Sequence, residues 1–392
     1  MLPERSRSDG RLPFCSGGSI NCGRALMRPE LTMEPWLERL STAIARHGPA
    51  RDQDGAFPRQ AFAELHARGL LSRPSAEDGT MRALLQLLAA VGRGDLSVGR
   101  IFEGHVNASF LIERYGTPAQ ARFFADIAAG GGIFGVWNTD DPAARLRIED
   151  GVLVGRKLFA SGVDGLSHAI VTIGETDGRR MIVIPLRDLP VDRSWWRPAG
   201  MRASGSHAVD LTGLHVDPGW MLGAAGDYLE QPWFSAGSIR FLAVQVGGMH
   251  AVFDTAVAHL RRTDRAAHPH QSHRLARMGV AVETGHLWLA RSADAWARAA
   301  ADPTDPWASD FLAGSANAAR LAIETAAMAV LEDAERAIGA AGLIAPHPFE
   351  RLMRDLRTYL RQPDPDGAAA AFGKAIAEGA WSPGVPDRKE VS

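Results

Sequence analysis

The hydrophobic period of this chain changes twice, and that most constrains its fold. From Glu34 to about Gly131 apolar residues recur at helical spacing, as in Pro35-Trp-Leu-Glu-Arg-Leu40 and Met81-Arg-Ala-Leu-Leu-Gln-Leu-Leu-Ala-Ala-Val91. From about residue 132 to 225 the period shortens to alternation, in Gly151 to Ser161, His168 to Ile173, Met181 to Pro185 and Ala208 to Asp217. After about Gly226 the helical period returns, ending in the Ala-rich run from Ala313 to Ile338. The expected fold is mainly α with a central β domain. It has an N-terminal α-helical domain (33–131), a middle antiparallel β barrel or sandwich (132–225) and a C-terminal four-helix bundle (226–392). Residues 1–32, without either period, read as a disordered tail, with Met27 or Met33 as alternative starts. Local stop and start signals fit: Asp95-Leu-Ser97 reads as a helix N-cap, and Tyr115-Gly-Thr-Pro-Ala-Gln120 as a turn into a helix.

Composition narrows the partners. The 392 residues are 46% hydrophobic and 22% charged with net charge -2, and no Lys/Arg block stands out, so nucleic acid is not an expected partner. No uninterrupted apolar run approaches the ~18 residues of a membrane span, so no membrane is expected. Cys15 and Cys22 both fall in the tail, too few for a metal site or a disulfide framework. No long apolar leader is present, and the cytoplasm is the default location. His268, His270 and His273 invite a metal reading. Pro269 interrupts them and no acid completes the set, so a solvated loop is preferred and no metal is expected.

Five short segments occur in a fixed order: His105 to Gly116 with Thr117-Pro-Ala-Gln120; Val136-Trp-Asn-Thr-Asp-Asp-Pro142; Gly155-Arg-Lys-Leu-Phe-Ala-Ser-Gly162; Gly200-Met-Arg-Ala-Ser-Gly-Ser206; and Gly339-Ala-Ala-Gly342 leading to Pro348-Phe-Glu-Arg-Leu-Met-Arg-Asp355. Together they resemble the acyl-CoA dehydrogenase family, whose helix–β–helix order is also the order read above. The resemblance implies an oxidoreductase with a bound flavin, FAD in the usual case. A flavin ring is flat and apolar with one polar edge, so it needs an apolar wall with polar groups beside it. By resemblance, Trp137, Asn138, Thr139, Phe159 and Ser161 would line the ring. Arg262, or Arg265 as the alternative, would reach the cofactor's phosphates. The Gly339/Gly342 turn would approach the cofactor or that of a second subunit. Arg202 and Ser204 would meet the substrate. A small acyl substrate, a homodimer or homotetramer, and an electron-transfer flavoprotein or flavin reductase are the implied partners. Each residue alone has a plainer reading: core aromatics for Trp137 and Phe159, a helix C-cap for Gly339, and a surface ion pair for Arg354-Asp355.

The departures are as informative. Where dehydrogenases of this family carry a catalytic Glu after Arg-Asp, this chain reads Arg361-Gln-Pro363-Asp364-Pro-Asp366. Proline cannot take a proton. The other family position for that Glu, just before an Arg on an earlier helix, is Ile239 before Arg240. Asp364 is the nearest candidate base. The Phe-Gly expected beyond Arg262 is also absent, which leaves FMN as an alternative to FAD. Three functions follow: an acyl-CoA dehydrogenase-like oxidoreductase, a reduced-flavin-dependent monooxygenase that needs no base, or a degenerate scaffold. Arg354-Asp-Leu-Arg-Thr-Tyr359 resembles a stretch of such oxygenases, but Tyr359 and Gln362 stand where those tend to carry histidines.

Overall fold

Helix-forming and strand-forming blocks separate along the chain as the periods predict. The computed structural model describes residues 34–72, 80–176 and 178–384, and the expected tail with both cysteines lies outside them. Among the described residues six helices come first: α1 (Pro35–Ala45), α2 (Gly48–Asp54), α3 (Arg59–Ala67), α4 (Met81–Gly94), α5 (Leu96–Tyr115) and α6 (Pro118–Ala129). Nine strands follow: β1 (Phe134–Trp137), β2 (Arg147–Glu149), β3 (Val152–Val154), β4 (Arg156–Ala160), β5 (His168–Glu175), β6 (Gly178–Pro185), β7 (Val191–Asp192), β8 (His207–Asp210) and β9 (Met221–Leu222). The chain closes with α7 (Trp233–Arg262), α8 (Pro269–Ala301), α9 (Pro306–Ile338), α10 (Pro348–Leu360) and α11 (Pro365–Ala377).

The expected caps form. Asp95 accepts from the amides of Ser97 and Val98 at 2.9 and 3.1 Å, starting α5. Thr117 and Gln120 make a reciprocal capping box that starts α6.

The β region is two sheets and a hairpin. One sheet has the order β1-β5-β6-β9, the other β4-β8-β7, and β2 pairs with β3. It is not wholly antiparallel as expected: β1 runs parallel to β5, with Phe134 opposite His168. The chain between them crosses to the second sheet and back, and such a long crossover lets β5 re-enter in the direction of β1. A core of Leu111, Ile112, Phe124, Phe134, Ile170 and Val183 binds α5 and α6 to the first sheet.

In the C-terminal region α7, α8 and α9 pack on one another, with α10 across α7 and α11 along α9. Helix α7 is long and apolar enough to cross a membrane by length and composition, although the sequence shows no unbroken run; 61% of its most apolar window is buried inside the protein. The two helical regions share a core, because α4 packs directly on α7. Glycines set that spacing: a Cβ on Gly247 would lie 2.1 Å from the Ala89 carbonyl oxygen, and one on Gly92 would lie 2.5 Å from that of Val244. Two backbones meet where any side chain would hold them apart.

His268, His270 and His273 lie in the cap and first turns of α8, not in a loop, because Pro269 sits at the first helical position, where proline is favoured. Among the described residues no group of three or more metal-binding side chains occurs.

Candidate functional site

A cavity of about 570 Å³ opens where α5, the two sheets, α7 and the turn after α10 converge. Each wall follows from local structure. The end of β1 contributes Val136, Asn138 and Thr139. This segment is held from behind by Lys157, whose fully buried Nζ donates to Asp140 Oδ1 at 2.6 Å, to the Thr172 carbonyl at 2.5 Å and to that of Asn138 at 3.4 Å. Burial pulls the Lys157 ammonium pKa down, and the bond to Asp140 opposes it. The lysine of the Gly-x-Lys segment therefore fixes the β1 terminus.

Strand β4 contributes Phe159 and Ser161. Its pairing with β8 slips between Lys157 and Ala160, and Phe159 adopts φ 55°. A bulky residue there bears roughly 1–2 kcal/mol of backbone strain. The irregularity turns the Phe159 ring outward, 38% exposed, against Trp195 with centroids 4.9 Å apart. Ser161 Oγ lies 2.8 Å from Ser206 Oγ, which lies 2.8 Å from Ser204 Oγ.

Helix α5 supplies a polar line absent from the sequence reading. Glu103 is 2% exposed, and its Oε2 accepts from Arg100 Nη1 at 2.7 Å. Asn107 donates to the other oxygen, and Arg240 Nε of α7 donates to Asn107 Oδ1 at 2.5 Å. Burial pushes the Glu103 carboxyl above its ordinary range, while Arg100 and Arg240 pull it back. The spacing of 100, 103 and 107 on one helix face is the only sequence signal for this set. It was masked by the apolar residues around it.

The fourth wall is the turn Arg361 to Asp364. Asp364 is the N-cap of α11, and its Oδ1 accepts from the Gly367 amide at 3.1 Å. Arg361 pairs with Glu324. Gln362 lines the cavity, whereas Tyr359 sits behind it, its ring tilted 41° to that of Phe241 with centroids 4.5 Å apart, and its hydroxyl buried without a partner among the described residues.

Of the residues expected at the cofactor, Asn138, Thr139, Phe159 and Ser161 come together, with Asp364 opposite. Trp137 does not line the cavity; its indole is buried and donates to the Ser161 carbonyl at 3.3 Å. Ser204 reaches the site only through Ser206, and Arg202 is exposed outside it. Arg262 lies at the C-terminal end of α7, with its Nη2 3.3 Å from His259 Nδ1, which is 3.1 Å from His347 Nε2. Gly339 ends α9 and begins the short turn that carries Gly342. Neither they nor Arg262 line this cavity.

The Arg354-Asp355 pair is no surface ornament. Asp355 is 2% exposed and accepts from the Met201 amide at 2.6 Å, while Arg354 donates to the Ala199 carbonyl at 2.8 Å and to Asp52 at 2.7 Å. A Cβ on Gly200 would lie 2.2 Å from the Arg354 carbonyl oxygen. Two of the five segments are thus two sides of one contact.

The acyl-CoA dehydrogenase C-terminal domain family matches residues 230–360. With the helix–sheet–helix order and the paired Gly200 and Arg354 segments, this match points to one architecture. The chain has the acyl-CoA dehydrogenase fold. Among curated relatives, the dibenzothiophene monooxygenase of Rhodococcus erythropolis is 23% identical over 76% of this chain and 80% of its own length. The amino sugar nitrososynthase of Streptomyces peucetius is 25% identical over 82% and 86%. Among solved structures, butyryl-CoA dehydrogenase from Megasphaera elsdenii aligns with a TM-score of 0.75 at 18% identity, over 90% of this chain and all (100%) of that one. TdsC from Paenibacillus, in complex with FMN and indole, aligns with a TM-score of 0.76 at 17% identity, over 88% and 96%. These likenesses show a fold used by flavin-dependent dehydrogenases and monooxygenases alike.

Proposed function

We propose that this protein is a reduced-flavin-dependent monooxygenase acting on a small substrate, rather than an acyl-CoA dehydrogenase. One observation carries the reading: no free carboxylate stands at either position from which this fold abstracts a proton. Pro363 occupies one, and its neighbour Asp364 is engaged as the cap of α11. Ile239, fully buried, occupies the other. Oxygenation by a reduced flavin needs no such base. The monooxygenase and nitrososynthase relatives lend the reading support.

The residues present fit a flavin. Val136, Phe159 and Phe241 offer apolar surface, and Asn138, Thr139 and Ser161 offer polar groups along one side. Asn138 Oδ1 is already occupied by Thr172 Oγ1 at 2.5 Å and by Arg179, which leaves the Asn138 amide N–H groups for the cofactor edge. When bound, the flavin supplies the electron-transfer and oxygen-activating chemistry. The chain's part is to hold the ring against β1 and β4, exclude water with Trp233, Phe234 and Phe241, and orient the substrate from α5 and α7. FMN or FAD meets these requirements equally, and a flavin reductase is the proposed electron source. Arg262 and the Gly339 turn are the proposed contacts to a cofactor shared across a homo-oligomer interface.

The test is reconstitution with FMN and, separately, with FAD. Oxygen-dependent turnover should require NADH and a flavin reductase, and acyl-CoA thioesters should leave the oxidised flavin spectrum unchanged under anaerobic conditions. Bleaching by an acyl-CoA would overturn the proposal and revive Asp364 as base. Asp364→Ala should keep turnover within about threefold while costing roughly 1 kcal/mol of stability, the ordinary worth of a helix cap. A hundredfold loss of turnover in a folded variant would make Asp364 catalytic.

A further inference from the structure

Arg240 is a buried cation on the cavity wall. It is 3% exposed, near the start of the long helix α7, and no carboxylate among the described residues forms an ion pair with it. Its Nε is committed to Asn107 Oδ1 at 2.5 Å. Its Nη groups make no hydrogen bond among the described residues, yet the side chain lines the cavity. The guanidinium carbon stands 4.8 Å from the Phe110 ring centroid, which fixes its plane without neutralising it. Burial brings its pKa down to about 10, so it stays charged at neutral pH.

The surrounding charges do not cancel it. Glu103 is the nearest acid, and its oxygens already accept from Arg100 and Asn107. Two buried guanidiniums therefore share one carboxylate. Arg361, also on the cavity wall, pairs outward with Glu324. Asp364 turns its carboxylate onto the first turn of α11. A buried, unpaired fork of N–H donors is costly unless something accepts from it, and planar two-point recognition of an oxyanion is what a guanidinium does best.

We propose that Arg240 is the anchor for an oxyanionic group of the substrate, a carboxylate or sulfinate, with the carbon part lying against Trp233, Phe234 and Phe241. Asn107 is the positioning residue that aims the guanidinium, and the Arg100–Glu103 pair keeps Asn107 in place. This rests on the oxygenase reading only for the word substrate; the anion site stands on its own geometry. A flavin could supply the oxyanion instead, and the experiment separates the two.

Binding of benzoate and of its neutral counterpart benzamide is measured by calorimetry on the full chain, with and without saturating FMN. Benzoate should bind at least tenfold more tightly than benzamide. That preference should vanish in Arg240→Gln and survive in part in Arg240→Lys, which keeps the charge without the fork. FMN should leave benzoate affinity within about twofold. Equal or undetectable binding of both probes by the wild-type chain would overturn the proposal, as would an undiminished preference in Arg240→Gln. Competition between FMN and benzoate would give Arg240 to the cofactor and equally overturn it. If Arg240→Gln does not fold, the Arg240→Lys result decides: a preference equal to wild type excludes the fork. Oxygen consumption with reduced flavin is read separately. Turnover without benzoate selectivity sinks only the anchor, and benzoate selectivity without flavin uptake sinks only the oxygenase.

Discussion

His105 is fully buried, and both of its ring nitrogens are used. Nε2 lies 2.7 Å from the Leu71 carbonyl and must donate, while Nδ1 accepts from the Phe134 amide at 3.0 Å. That pattern demands the neutral ring, and burial lowers its pKa to about 4. The unfolded value is ~6.5, so the unfolded chain takes up a proton first as pH falls. The stabilisation is complete above about pH 6.5 and is lost progressively towards pH 4, by about 3 kcal/mol in full. His250, lowered to about 4 as well, adds to the slope of the whole protein. The contribution of His105 is therefore read as a difference. Urea unfolding of wild type and His105→Gln, compared at pH 7.5 and pH 5, should show the wild type losing more stability on acidification. Parallel losses would mean that His105 titrates normally. The sequence shows a lone histidine and suggests a structural role. It cannot show which carbonyl receives the proton, because Leu71 and Phe134 reach the ring only through the fold.

At the scale of elements, local signals were legible and long-range ones were not. Asp95 and Thr117 cap α5 and α6 as expected, because a cap is made within a few residues of itself. The parallel pairing of β1 with β5 was hidden, because it depends on a crossover, not on either strand. Half of the cavity was legible as motif letters. The rest, Glu103, Asn107 and Arg240 among them, was not, because a hydrogen bond between α5 and α7 leaves no spacing in one dimension. The Gly200 and Arg354 segments were legible singly, but their meeting was not. Here the backbone of α10 touches the loop before β8, and only a glycine leaves room. Gly200→Ala forces these elements apart. The expected cost is about 1–3 kcal/mol, that of an overpacked contact, seen as a lower denaturation midpoint with an unchanged slope. A neutral substitution would show that the loop can yield without disturbing Arg354 and Asp355.

For the whole molecule, the question is how a cavity built from segments far apart in the chain keeps its shape. Arg320, on α9, gives part of the answer without lining the cavity. It is 6% exposed. Its Nη1 donates to Gln245 Oε1 of α7 at 2.8 Å, and its Nη2 to the Leu360 carbonyl at 2.9 Å and the Gln362 carbonyl at 2.5 Å. Gln245 in turn donates to the Tyr359 carbonyl at 3.2 Å. One guanidinium thus ties two bundle helices to the turn that forms the fourth wall. Arg320→Met keeps much of the volume and removes every donor. Carbonyls at the end of α10 are then left with fewer partners in the interior, at a cost of roughly 3 kcal/mol. The loss should not stay local. Amide exchange at Leu360, Arg361, Gln362 and Asp364 should rise while α9 itself stays protected, and retention of added FMN should fall several-fold, although Arg320 touches neither β1 nor β4. Unchanged exchange at those amides would show that the cap of α11 holds the turn by itself. The cavity would then owe its shape to local structure at each wall and not to the bundle behind it.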